Sequence, residues 1–551
     1  MFLRVATIKR GKDKYRYLQL CESVRENGRP KNIVLYSFGN LDTLGDKTLM
    51  DLATDFTRVA GKQMYSEFDL TTESNKDFGQ PMLADHLWNE FGLTQRINRL
   101  LSGYNMDFDV SLYIKVMVIN RLIEPRSKLS VSEWYKRIYL PELEGRELSL
   151  HHFYRSLDYL HKIKESLEEE LFQASRDLFN REVDMVFYDL TTSYFEGDKC
   201  DIAEYGYSRD KRSDRKQIVI ALACDRDGVP IASEVLPGNT ADVSTLVSMV
   251  EDLSNRFKIR RCIFVADSGL VSETNLLALS DKGYEYVMAV KRKKLPGMEE
   301  LLLRRLEEYE DAPHKLKVVF GGTDNKGNRT ICCYSRTKAF EQREIREARV
   351  KKGREGLLGI ANQVAKGFVK QRQKITEKAV KVLVDSKSEK YFSYTVPEDG
   401  KFEYHENIEV IRREESNEGK YFLSTNTSTI TPSEIVDAYF TLQEVERAFR
   451  TMKTFLKIRP IYLYNEERVK SHVYICVLSY LLEKALAWRL KASKMEMGSR
   501  KAIDLLSNIQ LNKNKLKELT IHTVTRPSPE ASTVIKAVGM KPLPRFINSD
   551  L

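Results

Sequence analysis

V-F-Y-D-L-T-T-S-Y-F, residues 186–195, decides the fold of this chain. An apolar, aromatic run leads into Asp189 and two threonines, the composition of a buried strand that carries an acid near its carboxyl end. A second stretch, C-I-F-V-A-D-S-G-L at 262–270, repeats the pattern with Asp267. In open α/β sheets, ligands gather beyond the carboxyl ends of the strands, so two such carboxylates point to a site. Each alone also reads as a strand-end cap.

The residues around them set the order of elements. Val183–Leu190 reads as a strand. Gln217–Asp225 and Pro230–Val235 read as a hairpin across Asp225-Arg226-Asp227-Gly228. Ser244–Phe257 is a helix, Arg261–Asp267 a buried strand, Glu273–Lys282 a helix and Tyr284–Lys291 a further strand. The β-β-β-α-β-α-β order predicts an α/β fold with a ribonuclease-H-like mixed sheet at its core.

A third acid comes from Y-F-T-L-Q-E-V-E-R-A-F-R-T-M-K, residues 439–453. Thr431-Pro432-Ser433-Glu434 supplies a helix start, with a cap, a proline and an acid in the first turn. A long helix from about Ser433 then places Glu446, Arg450 and Lys453 on one face at i, i+4 and i+7, with Tyr439 seven residues earlier on nearly the same face. Read alone, this is also an amphipathic surface helix laced with ion pairs. Together with Asp189 and Asp267 it completes a set of three carboxylates on rigid elements, which is what a pair of hard divalent cations requires.

The remaining chain divides by composition. Residues 1–72 form a β-rich module, with Tyr15–Leu20 and Asn32–Tyr36 flanking a turn at Glu26–Pro30. Residues 73–180 have helical periodicity, and the break from Asn120 to Lys128 holds Arg121, Arg126 and Lys128. This segment reads as a DNA-binding helical domain or as a structural bundle. Residues 181–294 are the first part of the core, 295–412 an inserted α+β domain and 413–495 the second part. Inside the insertion, Leu316–Val319, Thr330–Tyr334, Val382–Val384, Tyr391–Val396 and Phe402–Tyr404 are strand-like, and Phe340–Val364 is a polar helix. His472–Leu490 is an apolar helix, and residues 496–551 form a C-terminal tail region that loosens after Arg526-Pro527-Ser528-Pro529.

Composition narrows the class. A chain of 551 residues is too long for one core. Its 89 Lys+Arg exceed its 79 Asp+Glu, a formal charge of +10 that suits a phosphate-rich partner without proving one. No apolar run is long enough for a membrane span, and the start lacks a signal-peptide core. The seven cysteines include no C-x-x-C pair, so they read as reduced thiols of a cytoplasmic protein, and the eight histidines show no zinc spacing.

Tyr439, Glu446 and Lys453, with D-x-T-T-x-x-F at 189–195 and V-A-D-S-G at 265–269, resemble the signature of IS4-type DDE transposases of bacteria and archaea. The stretches F-L-K-I-R-P-I-Y at 455–462 and Phe38-Gly39-Asn40-Leu41 are similar to the IS1634 branch. The resemblance touches most of the chain. It departs at one position, where Leu442 stands in place of an expected arginine. The three tryptophans, Trp88, Trp134 and Trp488, also lie outside the insertion, so a hairpin step that uses an insertion-domain tryptophan is in doubt.

The resemblance implies a DNA transposase of the prokaryotic cytoplasm, associated with the nucleoid. Two Mg²⁺, or Mn²⁺ in their place, would lie about 3.5–4 Å apart on Asp189, Asp267 and Glu446. The enzyme would cut both ends of its element and join the 3′ ends to target DNA, with double-stranded DNA as partner and a homodimer holding the ends. Tyr439, Arg450 and Lys453 would contact DNA. So would Arg209, Lys211, Arg212, Arg215 and Lys216 of the loop after the first strand, which otherwise reads as an exposed hairpin loop. Thr191 and Thr192 either donate to a phosphate or finish the strand. Two other readings stay open: a ribonuclease-H-like nuclease without strand transfer, and a domesticated DNA-binding protein.

Overall fold

The computed structural model describes residues 1–11, 13–26, 29–61, 70–179, 185–196, 199–206, 208, 212–240, 242–257, 263–266, 273–281, 283–290, 298–324, 327–397, 401–516 and 519–547. Asp267, Arg209 and Lys211 lie outside these. The chain forms two units, one of Met1–Lys76, Gln510–Arg526 and Leu543–Leu551, the other of Asp77–Ile509 and Pro527–Pro542.

The first unit opens with an antiparallel sheet of β1 (Phe2–Arg10), β2 (Asp13–Glu26) and β3 (Arg29–Asn40). The hairpin read around Glu26–Pro30 is β2–β3, with Leu20 opposite Tyr36 and Cys21 opposite Val34. Helix α1 (Leu41–Val59) follows, capped by the Asn40 side chain, which accepts from Asp42 N at 3.0 Å, and then β4 (Leu70–Asp77).

The second unit begins with α2 (Gly79–Glu90), α3 (Leu93–Leu100), α4 (Val110–Ile123), α5 (Lys128–Trp134) and α6 (Leu150–Phe179). Every residue of α4 is buried, so this helix is the axis of the helical part. Its Lys115 is held by Asp85 and by Glu142 at 2.6 Å, the pairing a buried charge needs. Two of the three basic residues in the break after α4 are turned inward, Arg121 and Lys128 being each only 6% exposed.

β5 (Met185–Tyr194), β6 (Gln217–Cys224), β7 (Pro230–Pro237), α7 (Asp242–Phe257), β8 (Ile263–Ala266), α8 (Glu273–Asp281) and β9 (Glu285–Val290) then follow in the order read from the sequence. β5, β6 and β7 pair antiparallel, whereas β8 pairs parallel to β5 and β9 parallel to β8. Alternation along β5 sends Val186, Tyr188 and Leu190 into a cluster with Met249, Leu253 and Phe257 of α7. Each such side chain contributes about 1.5–3 kcal/mol of burial. Glu168 of α6 ties this layer together, accepting from Ser233 N and Oγ of β7 at 3.1 and 2.9 Å and from Arg256 of α7 at 2.8 Å.

Helix α9 (Met298–Leu303) leads to β10 (Glu310–Ala312), β11 (Leu316–Thr323) and β12 (Arg329–Ser335). After β12 come α10 (Arg336–Ala365), α11 (Arg372–Ser386), the hairpin β13 (Phe392–Thr395) and β14 (Glu403–Glu406), α12 (Ile408–Asn417) and β15 (Lys420–Thr425). β15 pairs with both β12 and β9, giving one mixed sheet of nine strands in the order β10-β11-β12-β15-β9-β8-β5-β6-β7. The strands at 316–335, read as part of a separate insertion, therefore extend the main sheet. The helical remainder has its own core of Leu357, Ile360, Ile375, Ala379, Leu383, Tyr391 and Phe392. Val382–Val384, read as strand-like, lies within α11, where Ile375, Ala379 and Leu383 are buried at helical spacing.

The chain continues through α13 (Pro432–Thr441), α14 (Gln443–Thr454), α15 (Glu466–Ala492) and α16 (Ser499–Leu505). Next come β16 (Gln510–Leu516), β17 (Leu519–Val524), α17 (Pro529–Ala537) and β18 (Phe546–Ile547). β16, β17 and β18 belong to the first unit, where they form a four-stranded sheet with β4. The loose stretch expected after Arg526 is instead helical. Ser528 caps α17 at 3.1 Å, Pro529 takes its first position, and Ala531, Val534 and Ile535 are buried. Among the described residues, no helix is long and apolar enough to cross a membrane.

Candidate active site

Asp189 lies opposite Leu222 of β6, and two residues before it Phe187 lies opposite Val265 of β8. The strand was expected to end at Leu190. It runs on to Tyr194 because Thr191, Thr192 and Ser193 keep pairing with Ile220, Val219 and Ile218. Asp189 is therefore mid-strand rather than an end cap. It is half-buried, and it stands on the face opposite the α7 cluster. Thr191, on the same face, and Thr192, on the other, are both buried.

Helix α14 packs on β5 and β6. Val445, Ala448, Phe449 and Met452 are its buried stripe, none of them part of the α7 cluster, so α14 covers the sheet face that carries Asp189. The helix follows the length of the strand. Its Glu444 lies against Gly228 of the β6–β7 turn, and beyond its far end Ile461 bridges Phe195. Glu446 and Arg450 are exposed, while Lys453 is half-buried. Arg447 pairs with Glu444 at 2.5 Å.

Tyr439 is not on the helix of Glu446. The single helix expected from Ser433 is broken at Leu442, a buried residue that closes α13 on Tyr439 O at 3.2 Å and accepts from both Val445 N and Glu446 N. The start of α13 is as read: Thr431 Oγ1 accepts from Glu434 N at 3.2 Å, and the Glu434 carboxylate accepts from Thr431 N at 2.7 Å. The bonds that Thr431 N and Thr431 Oγ1 donate to it hold the Glu434 carboxyl below its ordinary range. Tyr439 faces Tyr421 of β15, with ring centroids 6.2 Å apart. Leu442, which stands where the arginine was expected, is buried and offers no charge.

The basic loop is partly neutralised by its own acids. Arg212 forms a double hydrogen bond to Asp214 at 2.8 and 2.9 Å, and Arg215 lies 3.6 Å from both Glu196 and Asp214. The Arg212 guanidinium holds the Asp214 carboxyl down at about 2. Lys216 is half-buried. Arg212 and Arg459 each place a guanidinium by the Tyr194 ring, at 5.2 and 5.4 Å, an arrangement not foreseen from sequence because Arg459 comes from 265 residues further on. His472 is a packing residue, 3% exposed, whose Nε2 donates to Ile458 O at 3.0 Å.

Asp189 and Glu446 offer hard carboxylate oxygens, a donor type suited to Mg²⁺ or Mn²⁺. Among the described residues no group of three His, Cys, Asp or Glu side chains forms a metal site, and Asp267 falls outside them. The described cysteines are buried thiols.

The family profile "Transposase DDE domain" matches residues 184–482, more than half of the 551, and "IS1634 family transposase, N-terminal domain" matches residues 3–63. No curated protein matches. Among solved structures the chain is similar to "Mos1 transposase paired-end complex with left transposon end", with 14% identity, over 44% of this chain and 66% of that one. The chain thus spans just under two thirds of that relative, and the TM-score of 0.15 is too low for the likeness to bear on fold or function.

Proposed function

Because the chain belongs to the DDE transposase family, with an N-terminal domain of the IS1634 type, we propose that it binds the ends of its own insertion sequence, cleaves them and joins the 3′ ends to target DNA. The observation that carries this reading is α14 lying along β5, over the sheet face that holds Asp189, with Glu446 in its first turns. β8 runs parallel beside β5 and leads in sequence directly to Asp267. We read this sheet as ribonuclease-H-like and the three acids as one site.

In that site Asp189, Asp267 and Glu446 would hold two divalent cations, which when bound supply Lewis acidity to the attacking and leaving oxygens of an in-line phosphoryl transfer. The protein's own part is position and charge. Asp189 is fixed by pairing on both sides of its strand, and Glu446 is fixed by the buried stripe of α14. Arg450, one turn after Glu446, and Lys453 place positive charge along the same helix, suited to gripping the strand beside the scissile phosphate. Arg209, Lys211, Arg212, Arg215 and Lys216 belong in sequence to the loop after β5, and their charge would meet the DNA backbone. The acids act as ligands and not as nucleophiles, so no covalent enzyme–DNA intermediate forms. A homodimer synapsing two ends fits the need to cut both.

The test is to incubate the purified chain with DNA spanning its own gene boundaries, with Mg²⁺ or with EDTA. Metal-dependent nicks at the boundary followed by joined product support the reading. Nicks without joined product favour a nuclease, and cutting indifferent to EDTA removes the two-metal site.

A further inference from the structure

Beyond α14 the chain builds a second cationic place. The turn between α4 and α5, the segment Lys457–Leu463 and His472 of α15 enclose a cavity of about 410 Å³. Arg121, Arg126, Lys128, Lys457, Arg459 and His472 line it, and no Asp or Glu is among its lining residues. Arg121 and Lys128 are more than nine-tenths buried. Arg121 is committed to the carbonyls of Leu456 at 3.3 Å and Lys457 at 2.9 Å, which fixes the far wall. Lys128 Nζ donates to His472 Nδ1 at 2.5 Å, so its nearest polar partner is a neutral ring and not a carboxylate. Arg126 is paired with Glu124, outside the cavity. Lys457 is exposed at the rim in a left-handed conformation, φ 45°, a backbone state that costs about 1–3 kcal/mol and persists where its surroundings impose it.

Burial and the nearby Arg121 push the Lys128 amine well below its ordinary pKa, so the set is costly to charge until an anion completes it. Guanidinium and ammonium groups that converge on one cavity suit an oxyanion such as phosphate. The cavity adjoins a larger one of about 890 Å³, which shares Pro125, Arg126 and Lys457 and is also lined by Arg450 and by Arg500, itself 4.7 Å from the Phe455 ring. Arg450 lies one turn after Glu446, and Lys457 eleven residues after it, three past the end of α14, a span of at most roughly 22 Å from helical rise plus extended chain. That is at most about six base-pair steps of a DNA strand.

We propose that the cavity enclosed by the α4–α5 turn, Lys457–Leu463 and His472 is a phosphate-binding site. Its ligand is a phosphate of the DNA strand running from Glu446 past Arg450. The phosphate chemistry stands on the cavity alone, while its assignment to DNA rests on the function proposed above.

The test uses the full chain, Lys457→Gln and Lys128→Met, with Lys352→Gln, at an exposed position of α10, as control. Thermal unfolding is followed in inorganic phosphate and in chloride of equal ionic strength. Phosphate should raise the midpoint of the wild type and the control and leave that of both cavity variants unmoved. Binding to duplex ends in EDTA should weaken about tenfold in each cavity variant, and the slope of log affinity on log salt should fall by about one. If Lys128→Met fails to fold, Lys457→Gln carries the test. A lost phosphate response with an unchanged salt slope assigns the site to a free phosphate compound. A phosphate response equal in wild type and variants, or absent from all, overturns the site. None of these readouts uses cleavage, so failure of the catalytic reading leaves them interpretable.

Discussion

The Arg346 guanidinium donates to the Glu418 carboxylate at 2.7 Å, with both side chains less than a tenth exposed. Arg346 is on α10, where the chain leaves the sheet after β12, and Glu418 precedes β15, where it returns. Ser335 N also bonds Gly419 O at 2.9 Å, so the two crossings are clamped together. Removing Glu418 takes away the buried partner of Arg346 and leaves it only Glu415, 48% exposed, at 3.2 Å. Glu418→Ala should therefore cost about 2–3 kcal/mol, short of the penalty for a fully stranded buried charge. Arg343, 59% exposed and 3.4 Å from the same carboxylate, should cost under about 1 kcal/mol when replaced by alanine. Denaturant midpoints of the two variants measure the difference.

Asp189→Asn and Glu446→Gln keep shape and remove charge. Each should lower Mg²⁺-dependent cleavage of end DNA by about 10³-fold or more, while binding of the same duplex in EDTA stays within about threefold of wild type. A variant that still cuts at near wild-type rate removes its residue from the proposed metal site.

Burial holds the Glu483 carboxyl above its ordinary value, partly offset by Ser499 and Lys484. The folded chain therefore keeps this proton at a pH where the unfolded chain has lost it. The contribution of Glu483 to stability is full below the unfolded pKa of about 4.3 and declines as pH rises through the higher folded value. Glu483→Gln should flatten the thermal midpoint against pH above that point and raise it at neutral pH. An unchanged profile would show that the group is hydrated in the folded chain.

Gly238 follows β7, and a methyl group there would meet Gln217 O at 2.0 Å and Glu204 O at 2.4 Å. Both are backbone oxygens and cannot yield cheaply. Gly238→Ala should lower stability by several kcal/mol, about the cost of severe overpacking, whereas Asn239→Ala should cost under about 1 kcal/mol. Expression level and thermal midpoint separate the two.

What the sequence made legible was local. The elements β5 to β9 are apolar runs between turn residues, and the Thr431–Glu434 cap depends on atoms three residues apart. What it hid depended on distant partners. Nothing between Ser433 and Lys453 breaks helical periodicity, and the break shows only in the backbone bond that closes α13 from Leu442 N to Tyr439 O. Thr191 and Thr192 looked like a strand end because their partners, Ile220 and Val219, lie in a different segment. The strands at 316–335 could not be assigned to the main sheet before β15 was known to stand between β12 and β9. The cationic cavity draws on residues 121–129, 154, 457–463 and 472, so no window of sequence holds it.

β4 shares its sheet with β16, and Thr72 Oγ1 reaches Asn514 Oδ1 at 2.9 Å across a separation of 442 residues. At about 5–20 residues per second of synthesis, the ribosome needs from tens of seconds to more than a minute to bring the second strand to the first. Throughout that interval a nascent polypeptide has β4 made but unmatched, while Asp77–Ile509, most of the larger unit, is being made. A molecule whose translation stops early would carry much of the nine-stranded core with its opening module permanently unfinished.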